Sequence, residues 1–529
     1  MVDARAVVVA TRAAELAAAS GVELRDDLAL WRLAGGRPAA AAVAGRPEEL
    51  GTLLEATIDA PQREARGAHY TPEHLARDLV ARALVGHRDP TVCDPACGGG
   101  ALLLAAARHQ IDAGAEPCAV VGRLWGIDID PLAVATTEAS LALLCGAPPP
   151  AGHLQVADVL LDPPALPTFD VVIGNPPFLS PLATSTAPTT VSAERLRRRF
   201  GPAVRAYTDA SALFLVVACA LARAGGTVAM IQPQSVIAAR DASGVRAALD
   251  SVATLREVWL PNGRPFRAAV DVCVPIFDVV SPTDGRVGTS DWCGGLARAH
   301  GVPVVHLSAD GTVGDEATTS AAFRDEYYGI VPHVNEADSL PTGRRLVTTG
   351  LVDLGGAAWG ERPARVGGRR WARPVVDIAA LEGRAADWAR RTAAPKLIIA
   401  TQTKVVEVFV DADGTYLPGV PLIVAWAAPE RLGALAAALC SPPINAWAAS
   451  RVAGTALTSR SLKLTASLVR AAPLPTDAEA WEAGTHAFEV GDLEGFAEAM
   501  TSAYGCEHAV AAWWLARVGS AWSLPRSTR

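Results

Sequence analysis

The sequence predicts a doubly wound, Rossmann-like α/β sheet followed by a mixed α+β region, with helical segments at both ends. Three observations carry this reading. Between residues 67 and 280, strand-like apolar runs alternate with helical stretches of about 10 to 15 residues, the pattern of a parallel sheet wound by helices. Beyond residue 285 the alternation stops, and Gly, Pro, Trp and Arg become frequent. The two ends are rich in Ala, Leu and Glu and poor in strand formers.

Taken in order, residues 1–60 read as short helices. A helix is expected over 72–84, a strand and glycine turn in TVCDPACGGG (91–100), a helix over 101–113, a strand in LWGIDID (124–130) and a helix over 131–144. A short strand before Asp158 and one over 169–173 follow, then a helix over 208–223 and a strand in GTVAMIQP (226–233). A helix over 243–250 and strands over 256–260 and 272–280 complete the alternation. LVDLGG (351–356), VGGRRWARP (366–374), PKLIIATQTKVVEVFVDADG (395–414) and GVPLIVAW (419–426) read as short strands and turns, followed by helices over 429–450. Four spans result: a helical segment at 1–62, the wound sheet at 63–285, the mixed region at 286–475 and a helical segment at 476–529.

With 529 residues, half of them apolar, the chain is long enough for two or three domains. No apolar run approaches the roughly 18 residues of a membrane span, so a soluble, cytoplasmic protein without a membrane partner is expected. Nine cysteines lack CxxC spacing and flanking histidines, which predicts buried, reduced thiols and no metal site. The net charge of −8 conceals a contrast: residues 340–475 carry 17 Lys or Arg against 9 Asp or Glu. One polyanion-facing region in an otherwise acidic chain is expected. Only three of the 47 basic residues are lysine, which ascribes their abundance to arginine-rich coding but leaves the clustering unexplained.

The chemistry concentrates at successive strand ends. DPACGGG places an acid and three glycines between a strand and a helix, where backbone amides approach a ligand closely. Asp128, ending the next strand, is placed to accept ribose hydroxyls, and Asp130 before Pro131 reads as a helix cap. Asp158 is placed either to accept an exocyclic amine or to cap a turn. A fourth strand, FDVVIG, runs into NPPF at 175–178, a rigid corner whose prolines remove two backbone donors. Cys93 and Cys97 read as small packed residues rather than nucleophiles, and EPCAV at 116–120 as linker.

Together these motifs resemble the amino-methylating adenine-specific DNA methyltransferases, closely over residues 67–280. GAHYTP (67–72) resembles that family's opening cofactor motif, DPACGGG its glycine motif, GIDIDP its ribose motif and NPPF its catalytic motif. The stretch YTDASALFLVVACALARAGGTVAMIQPQS is similar to the helix and strand that follow. The resemblance implies a methyltransferase sheet that binds S-adenosylmethionine. It implies that Tyr70, Thr71 and Pro72 close over the cofactor, that Asp94, Ala96 and Gly98 hold its methionine end, and that Asp128 and Ile129 take the ribose, Asp158 the adenine, with Asn175 alongside. It further implies that Asn175, Pro176, Pro177 and Phe178 are catalytic. The Asn175 oxygen and the Pro176 carbonyl accept the two hydrogens of a base amine, and Phe178 stacks on a base flipped out of the duplex. The family often carries a second aromatic after QPQSVI, where this chain has ARDASG.

RLRRRF (195–200), in the loop after NPPF, is placed to meet phosphates or to be a solvated charge run. GGRRWARP (367–374) nominates Arg369, Arg370 and Arg373 as DNA contacts within the basic region, and PKLIIATQTK resembles the opening of the family's C-terminal target-recognition part. The expected partner is double-stranded DNA. The 66 residues before GAHYTP leave no room for a fused nuclease, so any restriction nuclease or defence subunit is expected to be separately encoded. The competing readings are amino methylation of protein glutamine, of ribosomal RNA or of cytosine N4, and a DNA-binding subunit of a restriction or defence complex.

Overall fold

The computed structural model describes residues 2–58, 71–178, 190–263, 266, 270–280, 289–322, 324–455 and 461–518. The chain divides into two compact units, Met1–Trp292 and Cys293–Arg529.

The first unit is built on an eight-stranded sheet: β1 (Val92–Asp94), β2 (Leu124–Asp128), β3 (Leu154–Val156), β4 (Phe169–Gly174), β5 (Ala222–Met230), β6 (Gln232–Pro233), β7 (Ala253–Trp259) and β8 (Val272–Val279). Its order is β3-β2-β1-β4-β5-β8-β6, with β7 also paired to β8. The first five neighbours run parallel and β8 runs antiparallel to β5. The strand order reverses at β1, where Val92 pairs with Leu124 on one side and Val171 on the other. In such sheets the carboxyl ends at the switch point border the ligand crevice. Here those ends carry Asp94, Asp128 and the corner at Asn175.

The leading helices share a core with the sheet's own helices. Ala6, Val9, Ala10 and Ala13 of helix Ala4–Ser20 are completely buried, in one cluster with Leu132, Ala135 and Ala139 of helix Pro131–Cys145. That helix is buried nearly all round, so its sequence shows little amphipathic period and much alanine.

The second unit has two four-stranded sheets. One joins Thr318–Ala321, Leu422–Trp426, Lys396–Ala400 and Val408–Asp411, all antiparallel. The other joins Val334–Glu336, Pro374–Val376, Arg344–Val347 and Tyr416–Pro418. The closing helices Ala478–Val490, Leu493–Ala503 and His508–Val518 belong to this unit's core, with Phe488, Phe496 and Trp514 buried beside Leu435 and Trp447.

Two expectations change. RLRRRF lies in helix Thr190–Phe200, because charges and a following Gly201 are compatible with a surface helix whose apolar period is too sparse to detect. EPCAV forms the short helix Pro117–Val121, with its proline at the first helical position, where the missing donor costs nothing. The helices expected over 429–450 are Leu432–Cys440 and Pro442–Val452. Pro442 and Pro443 cannot continue the first helix, and Ser441 caps the second through Ile444 N. Among the described residues, no single helix is long and apolar enough to cross a membrane, and no group of three or more His, Cys, Asp or Glu is arranged to hold a metal.

Candidate active site

Asp94 ends β1 and is 1% exposed, with its carboxylate accepting from Ala96 N at 3.0 Å. Burial pushes this carboxyl up to about 7, and the nearby Asp128 carboxylate adds to the rise. Asp128 ends β2 and accepts from Gly98 N and Asp130 N, each at 2.9 Å, while burial raises its pKa as well. Asp130 caps helix Pro131–Cys145 through Leu132 N, as its place before a proline suggests. Asp158 accepts from Leu160 N and Leu161 N, both at 3.0 Å, so the turn-capping role is present in the structure.

Asn175 leaves β4 beside β1. Its Nδ2 donates to Thr71 Oγ1 at 3.1 Å, and Thr71 is 5% exposed. This bond commits the amide nitrogen to Thr71 and so turns the accepting end of the group the other way. Gly174 precedes it because a Cβ there would stand 2.9 Å from Met230 Cε and 3.4 Å from Asp94 Oδ1.

One cavity of about 780 Å³ gathers Thr71, Asp94, Ala96, Gly98, Asp128, Ile129, Asp158, Asn175 and Pro177. Pro72, Pro176 and Phe178 do not line it: Pro72 precedes helix Glu73–Ala83, and Pro176 is buried. Phe178 meets Phe266 edge-on with ring centroids 6.3 Å apart. Tyr70 lies outside the described residues. Cys93 and Cys97 are packed as expected, at 0% and 5% exposure, and burial holds both thiols well above the usual range.

Part of the cavity wall is invisible to motif reading. Arg5, Leu54 and Ile58 of the leading segment line it, as does Phe214 of helix Ala210–Leu221. Helix Glu48–Ala56 reaches the glycine turn through a backbone contact: a Cβ on Gly99 would stand 2.6 Å from Gly51 Cα. The available signal was Gly51 itself, an isolated glycine in a helical stretch, which costs about 1 kcal/mol unless packing requires it. Arg195 and Arg199 are also engaged within the protein. Arg199 donates to Val159 O and Leu160 O at 2.6 Å, and Arg195 to Leu161 O at 3.1 Å and Asp162 at 2.6 Å, so helix Thr190–Phe200 pins the loop that carries Asp158. Arg197 and Arg198 are exposed.

In the second unit, Arg369 and Arg370 are exposed on strand Arg369–Trp371. Arg373 is paired with the Asp338 carboxylate, and its backbone N donates to Glu336 at 2.9 Å. The three arginines therefore do not form one equivalent cluster.

The cavity suits a ligand with hydroxyl and cationic groups. Its polar donors are few, three acids stand at successive strand ends, and a Cβ on Gly98, at φ +50°, would meet nothing within 4 Å. Its volume lies within the roughly 300 to 1,000 Å³ of small-molecule sites.

Residues 48–278 match the N-6 DNA Methylase family. The Type II methyltransferase M.VspI of Vibrio sp. (strain 343) is 29% identical over 133 residues, which make up 25% of this chain and 30% of that protein. Among solved structures, the Type IIL restriction-modification enzyme MmeI in complex with DNA shares the fold, with a TM-score of 0.52 at 14% identity over 92% of this chain and 83% of that one. The Type I restriction enzyme EcoKI M protein is 18% identical over 46% of this chain and 49% of its own, with a TM-score of 0.32. Over residues 48–278 the chain is thus similar to the N-6 DNA Methylase family, on a wound α/β sheet, and it spans about a third of the length of the curated relative it matches.

Proposed function

We propose that this chain is a site-specific DNA methyltransferase that methylates the exocyclic N6 amine of a flipped-out adenine in double-stranded DNA, as the modification component of a restriction-modification system. The observation that carries the reading is the junction of two features in one cavity: Asp94, Asp128 and Asp158 at successive strand ends, and the Asn175 amide at the fourth.

In this reading the acids and the 98–100 turn hold S-adenosylmethionine, which supplies an electrophilic methyl group when bound. Asp128 takes the ribose hydroxyls with acceptor capacity remaining on oxygens that already serve Gly98 N and Asp130 N. The acidic pair of buried Asp94 and half-buried Asp128 gives the cavity a preference for a cationic guest. Asn175 and the Pro176 carbonyl accept the two hydrogens of the base amine, draw its lone pair out of conjugation and stabilise the positive charge that develops on nitrogen. Thr71 acts through Asn175, by holding its amide nitrogen. Phe178 offers the stacking face, worth about 1 to 3 kcal/mol per base, and Phe266 supports its edge. Duplex DNA is the partner in this reading, and the local basic excess of residues 340–475 favours it over a protein substrate.

Asn175→Ala is the test. Methyl transfer to duplex DNA is expected to fall about 10²-fold or more, while calorimetry finds S-adenosylmethionine affinity retained. Long-read modification mapping of DNA from a methylation-free host expressing the wild-type chain reports base and motif together. Near-normal turnover by the variant sinks the catalytic assignment, and modified cytosine in place of adenine corrects the substrate.

A further inference from the structure

In the second unit, strands Ala364–Val366 and Arg369–Trp371 form a two-stranded antiparallel hairpin. Its two-residue turn is Gly367-Gly368, with φ of +59° and +77°. Positive φ at both turn positions is the geometry that matches strand twist in a tight hairpin, and glycine supplies it without strain. The register sets Ala364 opposite Trp371, Arg365 opposite Arg370 and Val366 opposite Arg369. Residues directly opposite share a face. Ala364 and Val366 are buried and face the core, whereas Arg365 and Arg370 are both exposed on the outward face.

Two guanidinium groups directly across a strand pair repel and disfavour the pairing. Neither Arg365, Arg369 nor Arg370 has a carboxylate partner among the described residues. Their neighbours behave otherwise: Arg362 pairs with Asp353, Arg373 with Asp338 and Arg384 with Asp325 and Glu326. An unneutralised like-charge pair on a narrow ribbon is what a protein retains when the compensating charge belongs to a ligand. A major groove about 12 Å wide admits a two-stranded ribbon, and its most electronegative edge is the guanine O6 and N7 pair that an arginine fork meets bidentately.

We propose that the hairpin is a major-groove ribbon in which Arg365 and Arg370 read guanine in the target sequence, with Arg369 at its turn serving the phosphates. Arg365 thereby becomes a specificity-determining residue, and Arg373, committed to Asp338, does not. The proposal rests on duplex DNA being the substrate, and its test is independent of methyl transfer. Purified full-length protein, wild type, Arg365→Lys, Arg370→Lys and Arg369→Ala, is used to select bound duplexes from a randomised library. Lysine preserves charge but not the planar fork. The lysine variants are expected to select a motif degenerate at one guanine position each, discriminating there about 5- to 150-fold less, with unchanged salt dependence. Arg369→Ala is expected to keep the motif and to lower the slope of log affinity against log salt by about 0.9. Lysine variants that select the wild-type motif overturn the proposal. So does a wild-type protein that selects no motif, and the same preparation's methyl-transfer assay shows whether the catalytic reading survives. Unchanged S-adenosylmethionine binding in every variant certifies the fold.

Discussion

Each unit contains a pair of like charges that folding alone does not favour, and the two pairs differ in every other respect. Asp94 is buried and Asp128 half-buried at neighbouring strand ends, and desolvation raises both carboxyls. Arg365 and Arg370 stand on an exposed ribbon. Buried like charges are relieved by taking up protons, so the acidic pair stores its cost as a shifted pKa. Exposed like charges are relieved by solvent and salt, so the basic pair costs little and waits for an anion. The difference teaches where to look for a ligand: a deep site advertises itself by titration, a surface site by missing counter-charges.

The largest effect that would break this comparison concerns Asp94. Its carboxyl binds a proton more tightly folded than unfolded, so the native state holds the extra proton between about pH 4 and pH 7, and stability falls as pH rises through that window. Above pH 7 the full penalty is present. Asp94→Asn, which keeps the acceptor for Ala96 N, is therefore expected to stabilise the ligand-free protein at pH 8 by up to about 4 kcal/mol, with the gain shrinking toward pH 4. Its affinity for S-adenosylmethionine is expected to drop. Urea unfolding of both proteins at several pH values measures this, and equal stability at pH 8 would remove the acidic half of the comparison.

A middle-sized effect sharpens it. The turn between the two acids is held under helix Glu48–Ala56 by the Gly99 and Gly51 backbone contact. Gly99→Ala forces that helix away, at about 1 to 3 kcal/mol for overpacking, and is expected to weaken cofactor binding without touching a polar contact. Gly98 carries no such contact, so an alanine there, at φ +50°, is expected to act through backbone strain and not by displacing the helix. Calorimetric affinity alongside thermal unfolding checks both parts.

The smallest expected effect concerns the basic pair. Arg365→Glu converts the repelling pair into an attractive one and should stabilise the ligand-free protein by about 0.2 to 1 kcal/mol, a gain that disappears in high salt. DNA binding should be lost in the same variant. A destabilised variant would mean that Arg365 is part of the packing of the hairpin and not held for a partner.

How much of this was legible beforehand follows the range of the interactions involved. The alternation of strands and helices is local and repeats every few residues, so the wound sheet and its strand ends stood in the sequence, as did Asp130 as a cap and Cys93 and Cys97 as core. Helix Thr190–Phe200 is illegible locally because its surface pattern carries no apolar stripe, whereas the pair of helices over 429–450 is punctuated by Pro442 and Pro443. The acids at 94, 128 and 158 and the corner at 175–178 are legible as positions because each follows a strand that the apolar pattern marks.

What the sequence by itself determined is thus the set of groups with periodic or motif-bound positions: the sheet, the glycine turn, the acids, the rigid Asn-Pro-Pro corner and the basic excess of residues 340–475. Only the tertiary structure decided which of them meet. It closed the cavity with Arg5, Leu54 and Ile58 from a segment that carries no motif, and it turned the Asn175 amide through Thr71, 104 residues away in the chain. It also separated Arg373, neutralised by Asp338, from Arg370, set opposite Arg365. The physical reason is that burial, register and charge pairing are properties of contacts between distant residues, and no local pattern records which partner a side chain will find.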